Sequence, residues 1–432
     1  MATKRQRTAI EQSTLTGKVA RLDNTQVQPT WEKPFPVNGQ GTLVFNKDIS
    51  VPFLISVEDE KGQYSLTLKI EADRVAFVKV NGKTKQELSH LNQKGCGLEK
   101  GKISYWYSYD RDNLVLKYGK GYRMEETTIL VHDFLANAED EDEKEKIRKD
   151  LFPFFNAEGK KFIRKYEIIS LANKGGVTVT EEMVEFDKNP FICNIPPLVL
   201  DSSMVNLFYL DDGDFIFSAS LPQACRELYE NIKGCHLNYP EEVTGVKLSD
   251  AIRYSINTKG CLLYEKLKEK SGEFGGDDKN ETYLRVTLGH SLGKSPGIPY
   301  VLEIWPKGHY SPIHNHGNSN AVIKVLHGTI HIMVYNKQVM SPKATPLKAF
   351  NATKDEVTWI NRNWYQTHKL INTSSDYCAT IQCYNYDAGD TTHWPYFDYI
   401  SDNSTIEEFL PTSDFGFREM REKVLQEYKN SL

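Results

Sequence analysis

The segment Gly308-His309-Tyr310-Ser311-Pro312-Ile313-His314-Asn315-His316-Gly317 sets two histidines two positions apart. On a strand, residues i and i+2 point to the same face, so both imidazoles can reach one metal ion. A third ligand has to come from elsewhere in the chain. His368 follows His316 after 52 residues, behind the turn-like Asn361-Arg362-Asn363, where a returning strand could carry it. Three neutral imidazoles on one face leave coordination positions open, which is what an O2-activating or Lewis-acid metal requires. The plain alternative is a set of surface or core histidines. Gly308 ahead of the pair, the strand pattern around it and the strand–turn signal Val325-Leu326-His327-Gly328 after it favour the metal site.

Other chemistry-bearing patterns fare worse. There is no HExxH, which excludes a zincin helix, and no GxGxxG. Gly293-Lys294-Ser295 matches the end of a P-loop, but the glycine that motif needs five residues earlier is Leu288. Gly289-His290-Ser291-Leu292-Gly293 matches GxSxG. A nucleophile elbow needs a helix straight after it, and Lys294-Ser295-Pro296-Gly297-Ile298-Pro299 cannot form one, so the match reads as a loop. The seven cysteines, at 96, 193, 225, 235, 261, 378 and 383, are odd in number, scattered and without a CxxC pair. That argues against a disulfide framework and against a zinc ribbon.

The elements that must position the histidines are strands, whose patterns dominate from Thr282 to Tyr386. Ahead of them, Gln223 to Lys233 and Lys247 to Thr258 carry apolar residues at helical spacing, as in Leu248, Ile252 and Ile256. Pro222 stands where a helix can begin. The tail from Thr405 to Leu432 predicts an amphipathic helix with Met420, Val424 and Tyr428 on one stripe. Towards the N-terminus, Thr42–Phe45, Tyr64–Ile70, Val75–Val80 and Leu114–Tyr118 each read as a strand, and Asn81-Gly82 supplies a turn. Strand-like runs return over 160–215, among them Lys165–Ser170 and Phe215–Ser218. Several short strands with such turns predict a β-sandwich. The charge run Glu139 to Lys149 has an acidic start and a basic end, which suits a solvated helix or a tether.

A length of 432 residues calls for two or three domains. The 23 tyrosines and 20 phenylalanines suit β-rich architecture. A net charge of −5 of mixed signs recruits neither nucleic acid nor an anionic membrane. No apolar run approaches the length of a membrane span. Met1 to Gly17 is polar and lacks the apolar stretch of a secretory signal, so the expected compartment is the cytoplasm. Lys4-Arg5-Gln6-Arg7 is expected to belong to a disordered leader over 1–30 rather than to act as a nuclear signal.

Residues Trp305 to Tyr335 resemble the first cupin motif and Thr358 to His368 the second. The set is most similar to the cysteine dioxygenase family. Trp305, Gly308, His309, Ser311, Ile313, His314, His316, Asn318, Ser319, Lys324, Leu326 and Gly328 fall at matching positions, as do Ile360-Asn361, His368, Asn372 and Tyr384. Ordinary cupins supply a carboxylate shortly after HxH. Here Gly317-Asn318-Ser319-Asn320-Ala321 holds no acid, which favours the three-histidine iron site of thiol dioxygenases. The resemblance covers about residues 221–400. The expected fold is therefore mainly β: a β-sandwich-like domain over 31–215, a C-terminal cupin β-barrel with flanking helices over 216–404, and a helical tail over 405–432.

The resemblance implies that His314, His316 and His368 bind Fe(II), which would lower a substrate thiol's pKa so that it binds as thiolate. It implies that Arg285, in Tyr283-Leu284-Arg285, pairs its planar fork with the substrate α-carboxylate, with Tyr283 flanking it. Tyr384 would hydrogen-bond bound substrate or dioxygen and assist proton movement. Trp305 would wall the pocket, and His309 and Gln382 would stand behind the site. The implied reaction adds both atoms of O2 to the sulfur of L-cysteine, giving cysteine sulfinate.

Three departures stand out. Animal members carry a cysteine five residues after the second histidine of HxH, crosslinked to the tyrosine; here that position is Ala321, and Cys383 is expected on the opposite strand face. The family's histidine two residues before the tyrosine is Gln382, which cannot shuttle a proton. The family's Ser-Pro-Pro is Asn385-Tyr386-Asp387. These changes leave open a dioxygenase for another thiol, such as 3-mercaptopropionate or a peptide N-terminal cysteine. Outside that chemistry stand a non-catalytic metal-binding cupin and a Zn or Mn isomerase or lyase. Over the N-terminal half, Gly101–Ser108 and Lys117–Gly121 resemble the β-sandwich domain named after farnesoic acid O-methyltransferase, and no site residues are carried over. Tyr105, Trp106 and Tyr107 read as core or as a binding face for an unidentified partner.

Overall fold

The computed structural model describes residues 31–34, 39–47, 52–59, 61–138, 140–155, 162–167, 184–193, 195–238, 245–289, 300–337, 339, 341–386 and 397–432. The leader expected over 1–30 and the P-loop-like and GxSxG matches after Gly289 lie outside them. The described residues fall into two compact units. The first takes its residues from Met1–Ser108, Leu116–His132 and Glu139–Lys188, and the second from Tyr109–Val115, Asp133–Ala138 and Asn189–Leu432.

The first unit is mainly β. A six-stranded sheet runs in the order β1 (Trp31–Pro34), β10 (Phe162–Glu167), β3 (Phe53–Asp59), β4 (Tyr64–Ile70), β5 (Arg74–Asn81), β6 (Thr84–Asn92). A five-stranded sheet runs β11 (Val184–Asp187), β2 (Gly41–Lys47), β7 (Ile103–Asp110), β8 (Val115–Lys120), β9 (Thr128–Asp133). Phe53 and Phe77 of the first sheet meet Tyr105 and Tyr107 of the second at ring separations of 5.2 and 5.7 Å. The two sheets therefore pack face to face, the sandwich that the strand spacing predicts. Tyr105, Trp106 and Tyr107 are fully buried, so this aromatic run is core. The charge run forms α1 (Glu141–Phe155), with Leu151, Phe154 and Phe155 buried at its end.

The second unit also has two sheets. One runs β13 (Ile216–Phe217), β12 (Leu198–Leu200), β20 (Val357–Ile360), β17 (Asn320–His327), β22 (Cys378–Asn385), β15 (Tyr300–Trp305), β14 (Leu284–Leu288), β25 (Phe415–Gly416). The other runs β19 (Lys348–Thr353), β18 (Thr329–Tyr335), β21 (Thr367–Ile371), β16 (Ile313–His314), β23 (Phe397–Ile400), β24 (Ile406–Phe409). From β15 to β23 the chain passes back and forth between the sheets. That is the winding of a cupin-type double-stranded β-helix. The described ladders leave two sheets with ends, where the sequence reading expected a barrel.

Helices cover the outer face of the larger sheet. α3 (Gln223–Ile232) packs on β17 and β22, while α5 (Leu262–Glu269) and α6 (Phe417–Lys429) pack on β14 and α4 (Leu248–Asn257) packs on α5 and α6. Cys225, Leu228 and Ile232 of α3, Ile252 of α4 and Met420 and Val424 of α6 join one core with Leu284, Val286, Val322 and Cys383. The helical spacing of α3, α4 and α6 was legible; α5 and the short α2 (Leu207–Asp212) were not foreseen.

Two expected boundaries change. The domain division at 215/216 moves to about residue 188, because β12 pairs antiparallel with β20 and belongs to the second unit's sheet. The tail over 405–432 is not separate. β24 pairs with β23, β25 with β14, and α6 buries its apolar stripe in the same core.

Candidate metal centre

Strand alternation gives the larger sheet two chemically distinct faces. Leu284, Val286, Leu302, Ile304, Ile381 and Cys383 join the apolar core with the helices. The alternate positions Arg285, Glu303, Gln382 and Tyr384 form a polar network instead. In the register Arg285 stands opposite Glu303 and Ala321 opposite Tyr384. The Cys383 thiol lies 3.6 Å from the Leu228 carbonyl of α3, on the face away from Tyr384, as expected.

The smaller sheet carries the histidines. His314 ends β16 and pairs directly with His368 of β21. His316 is not on the strand, so the i, i+2 argument is realised only in part: β16 stops at His314, and a turn brings the second imidazole round. Gly317 and Asn318 adopt positive φ of 56° and 63° in that turn, a region that suits these two residue types. The Ser319 hydroxyl donates to the His316 carbonyl at 2.7 Å. Gln366 braces the turn: its side-chain oxygen accepts from the Asn318 amide at 3.0 Å, and its Nε2 donates to the carbonyls of Ser319 and Asn361, both at 2.8 Å.

The result is a convergence of ring nitrogens. His316 Nε2 lies 2.9 Å from His368 Nε2, which lies 3.2 Å from His314 Nε2. A candidate ligand atom from each of the three lies within 4.8 Å of the others. Two nitrogens bound to one ion at roughly 2.1 Å and near a right angle stand about 3.0 Å apart. Three neutral imidazoles cannot satisfy one another at such distances, because each pair can share only one proton. The donor set therefore fits a single metal ion.

Protonation agrees. Burial, with the Arg285 charge adding to it and the Pro312 carbonyl opposing it, pulls the His314 imidazole down to about 4. Burial and then the neighbouring imidazoles hold His316 well below the ordinary range, and burial and then His314 do the same for His368. All three are neutral near pH 7, as ligands must be. His314 Nδ1 faces the Pro312 carbonyl at 3.1 Å, which places its proton there and leaves Nε2 free to ligate.

Tyr384 lies beside this cluster, its ring stacked on His316 at 6.0 Å. Phe397, not anticipated from the sequence, stands 4.8 Å from the His316 ring and adds an apolar wall. The Tyr384 hydroxyl donates to the side-chain oxygen of Gln382, whose Nε2 donates to Glu303 Oε2. Glu303 Oε1 accepts from Arg285 Nη1 at 2.5 Å. The Arg285 charge also acts on the phenols of Tyr283 and Tyr384. Burial pushes the Tyr384 phenol up, so it stays protonated and can donate.

The other predicted residues divide. Tyr283 stacks on Trp305 with ring centres 4.0 Å apart, and both are buried in the wall behind Arg285. His309 points elsewhere, its Nδ1 facing the Thr282 carbonyl at 2.8 Å; burial, against the pull of that carbonyl, holds its imidazole below the ordinary range. It braces the chain ahead of Tyr283 rather than the histidine cluster. Asn372 pins the same loop by donating to the Trp305 carbonyl at 2.8 Å.

Glu303 is the residue that sequence reasoning missed. Its one signal was an acid sharing a strand face with Trp305 in an otherwise apolar run, Tyr300–Trp305.

No family model matches the chain. Remote likenesses to solved structures exist. The Schizosaccharomyces pombe Cnp3 cupin domain is 14% identical over 24% of this chain and 65% of that one, with a TM-score of 0.20. The Cupin_2 domain of an XRE family transcriptional regulator from Enterobacter cloacae is 12% identical over 24% of this chain and 98% of that one, also at 0.20. A recombinant oxalate oxidase in complex with glycolate is 13% identical over 29% of this chain and 53% of that one, at 0.20. A regulator domain and an oxidase stand side by side, so likeness at this level separates neither activity nor ligand.

Proposed function

We propose that the second unit is a non-heme iron(II) thiol dioxygenase, joining both atoms of O2 to the sulfur of a small thiol to give its sulfinate. Cysteine dioxygenases, which residues 221–400 resemble, perform that reaction on L-cysteine. The observation that carries the reading is the convergence of three neutral imidazole nitrogens beside a buried, protonated tyrosine.

His314, His316 and His368 would hold the metal. Fe(II), when bound, supplies the charge that stabilises a thiolate and the redox capacity to bring sulfur and dioxygen together. The reaction balances without a further reductant, since the electrons that sulfur loses are those that dioxygen gains. The neutral ligand set leaves the cation's charge available to the thiolate, where a carboxylate ligand would reduce it. Phe397 and the stacked Tyr283–Trp305 pair give the site apolar walls. Tyr384, on turning its O–H away from the Gln382 carbonyl, would donate it to the reacting sulfur or oxygen atoms. Gln382 orients that phenol and takes up no proton itself. Ala321 stands across from Tyr384 where animal cysteine dioxygenases have the crosslinking cysteine, so the phenol here acts unmodified.

The test is anaerobic reconstitution with Fe(II), then O2 uptake against a panel of small thiols with products identified by mass spectrometry. One sulfinate per O2 consumed is expected. Bound iron with no uptake on any thiol would leave a metal-binding scaffold. Turnover that needs Zn or Mn and no O2 would make the protein an isomerase or lyase.

A further inference from the structure

Arg285, the group expected to hold a substrate α-carboxylate, already has a carboxylate. Glu303 faces it across β14 and β15, 2.5 Å away, and both side chains are at least nine-tenths buried. The pair is not an incidental contact at the rim. The second Glu303 oxygen accepts from Gln382 Nε2, and Gln382 in turn accepts from the Tyr384 hydroxyl. Each member of the row Arg285–Glu303–Gln382–Tyr384 fixes the next. The protein therefore supplies from its own backbone register the anion that an α-amino acid would otherwise bring.

An incoming carboxylate has two options here, and both are unfavourable. It can displace Glu303 from Arg285, leaving a buried, unpaired charge. Or it can sit beside Glu303 and share one guanidinium, placing two anions close together in a low-dielectric interior. A thiol without a carboxylate meets neither obstacle.

Resting on the thiol dioxygenase reading, we propose that Glu303 is a specificity-determining residue. By holding Arg285 in an internal ion pair, it restricts the site to small thiols that lack a carboxylate. Gln382 is part of the same device, because its amide donates to Glu303 while its carbonyl receives Tyr384. The amide keeps both its donor and its acceptor at every pH, whereas a histidine there would lose its acceptor on protonation.

The test compares iron-loaded wild-type protein on two matched pairs: cysteine against 2-aminoethanethiol, and 3-mercaptopropionate against 2-mercaptoethanol. In each pair the carboxylate-free thiol should be favoured in kcat/KM by about tenfold or more. Glu303→Gln should reduce or invert that preference by at least about tenfold, mainly through KM for the two carboxylates. Equal turnover within both pairs by the wild type overturns the proposal and leaves the dioxygenase reading intact. So does a Glu303→Gln variant that slows all four thiols alike, as a merely structural residue would. Oxidation of no thiol sinks the dioxygenase reading and this inference with it. The wild-type comparison decides the matter even where the variant fails to fold.

Discussion

The two units share a plan, two β-sheets each, and fill it in opposite ways. Facing strands of the first unit present Phe53, Phe77, Tyr105 and Tyr107 to one another. The Tyr107 hydroxyl among them donates to the Leu66 carbonyl at 3.3 Å. The corresponding strands of the second unit turn Arg285, Glu303, Gln382, Tyr384 and three histidines inward. Burying charge costs free energy unless it is paired, and apolar packing does not carry that cost. The described interior of the first unit is thus accounted for by packing. On the function proposed above, the second keeps its polar groups for a ligand, and the second unit gains stability outside, where four helices seal the larger sheet's apolar face.

The contrast can be broken most severely at the histidines. His368→Ala should abolish iron retention and thiol oxidation while leaving the circular dichroism spectrum unchanged, measured as metal content after reconstitution. Tyr384→Phe keeps the ring stacked on His316 and removes the donor, so activity should fall by about 10²–10⁴-fold with iron still bound. Stability mutants sharpen the difference between the interiors. Phe77→Ala should cost about 3–5 kcal/mol in denaturant unfolding. Glu303→Ala should cost a comparable amount by stranding Arg285, yet the double change Arg285→Met with Glu303→Leu should be neutral or stabilising by about 1–4 kcal/mol. A double variant as unstable as the single would mean that the pair is structural after all.

The smallest expected effect concerns pH. Burial and then Asp402 push the Glu281 carboxyl up to about 7, against the pull of Lys369. A carboxyl raised on folding favours the protonated native state, so its contribution is complete below the unfolded value and lost as pH rises through about 7. Glu281→Gln, which mimics the protonated form, should therefore gain about 1–2 kcal/mol at pH 8 and nothing near pH 4.5. Melting curves at both pH values check this.

Legibility followed local pattern. His314 and His316 declared themselves by spacing, and α3, α4 and α6 by period. His368 needed the resemblance as well as the turn before it. What the sequence hid was pairing. Glu303 sits in an ordinary strand and acquires meaning only once the register sets it against Arg285. The place of residues 189–215 was hidden for the same reason, since β12 is three residues long and is explained only by its partner β20. The Tyr-Trp-Tyr run of β7 is equally suited to a binding face and to a core, and only packing decided it.

The most direct test of the central claim is oxygen labelling. Iron-loaded protein turned over with 18O2 and a small thiol should give a sulfinate in which both oxygen atoms carry the label, and His316→Ala should give none. A product with no label or a single label, or equal product from the variant, would contradict the assignment of the three histidines to a thiol dioxygenase.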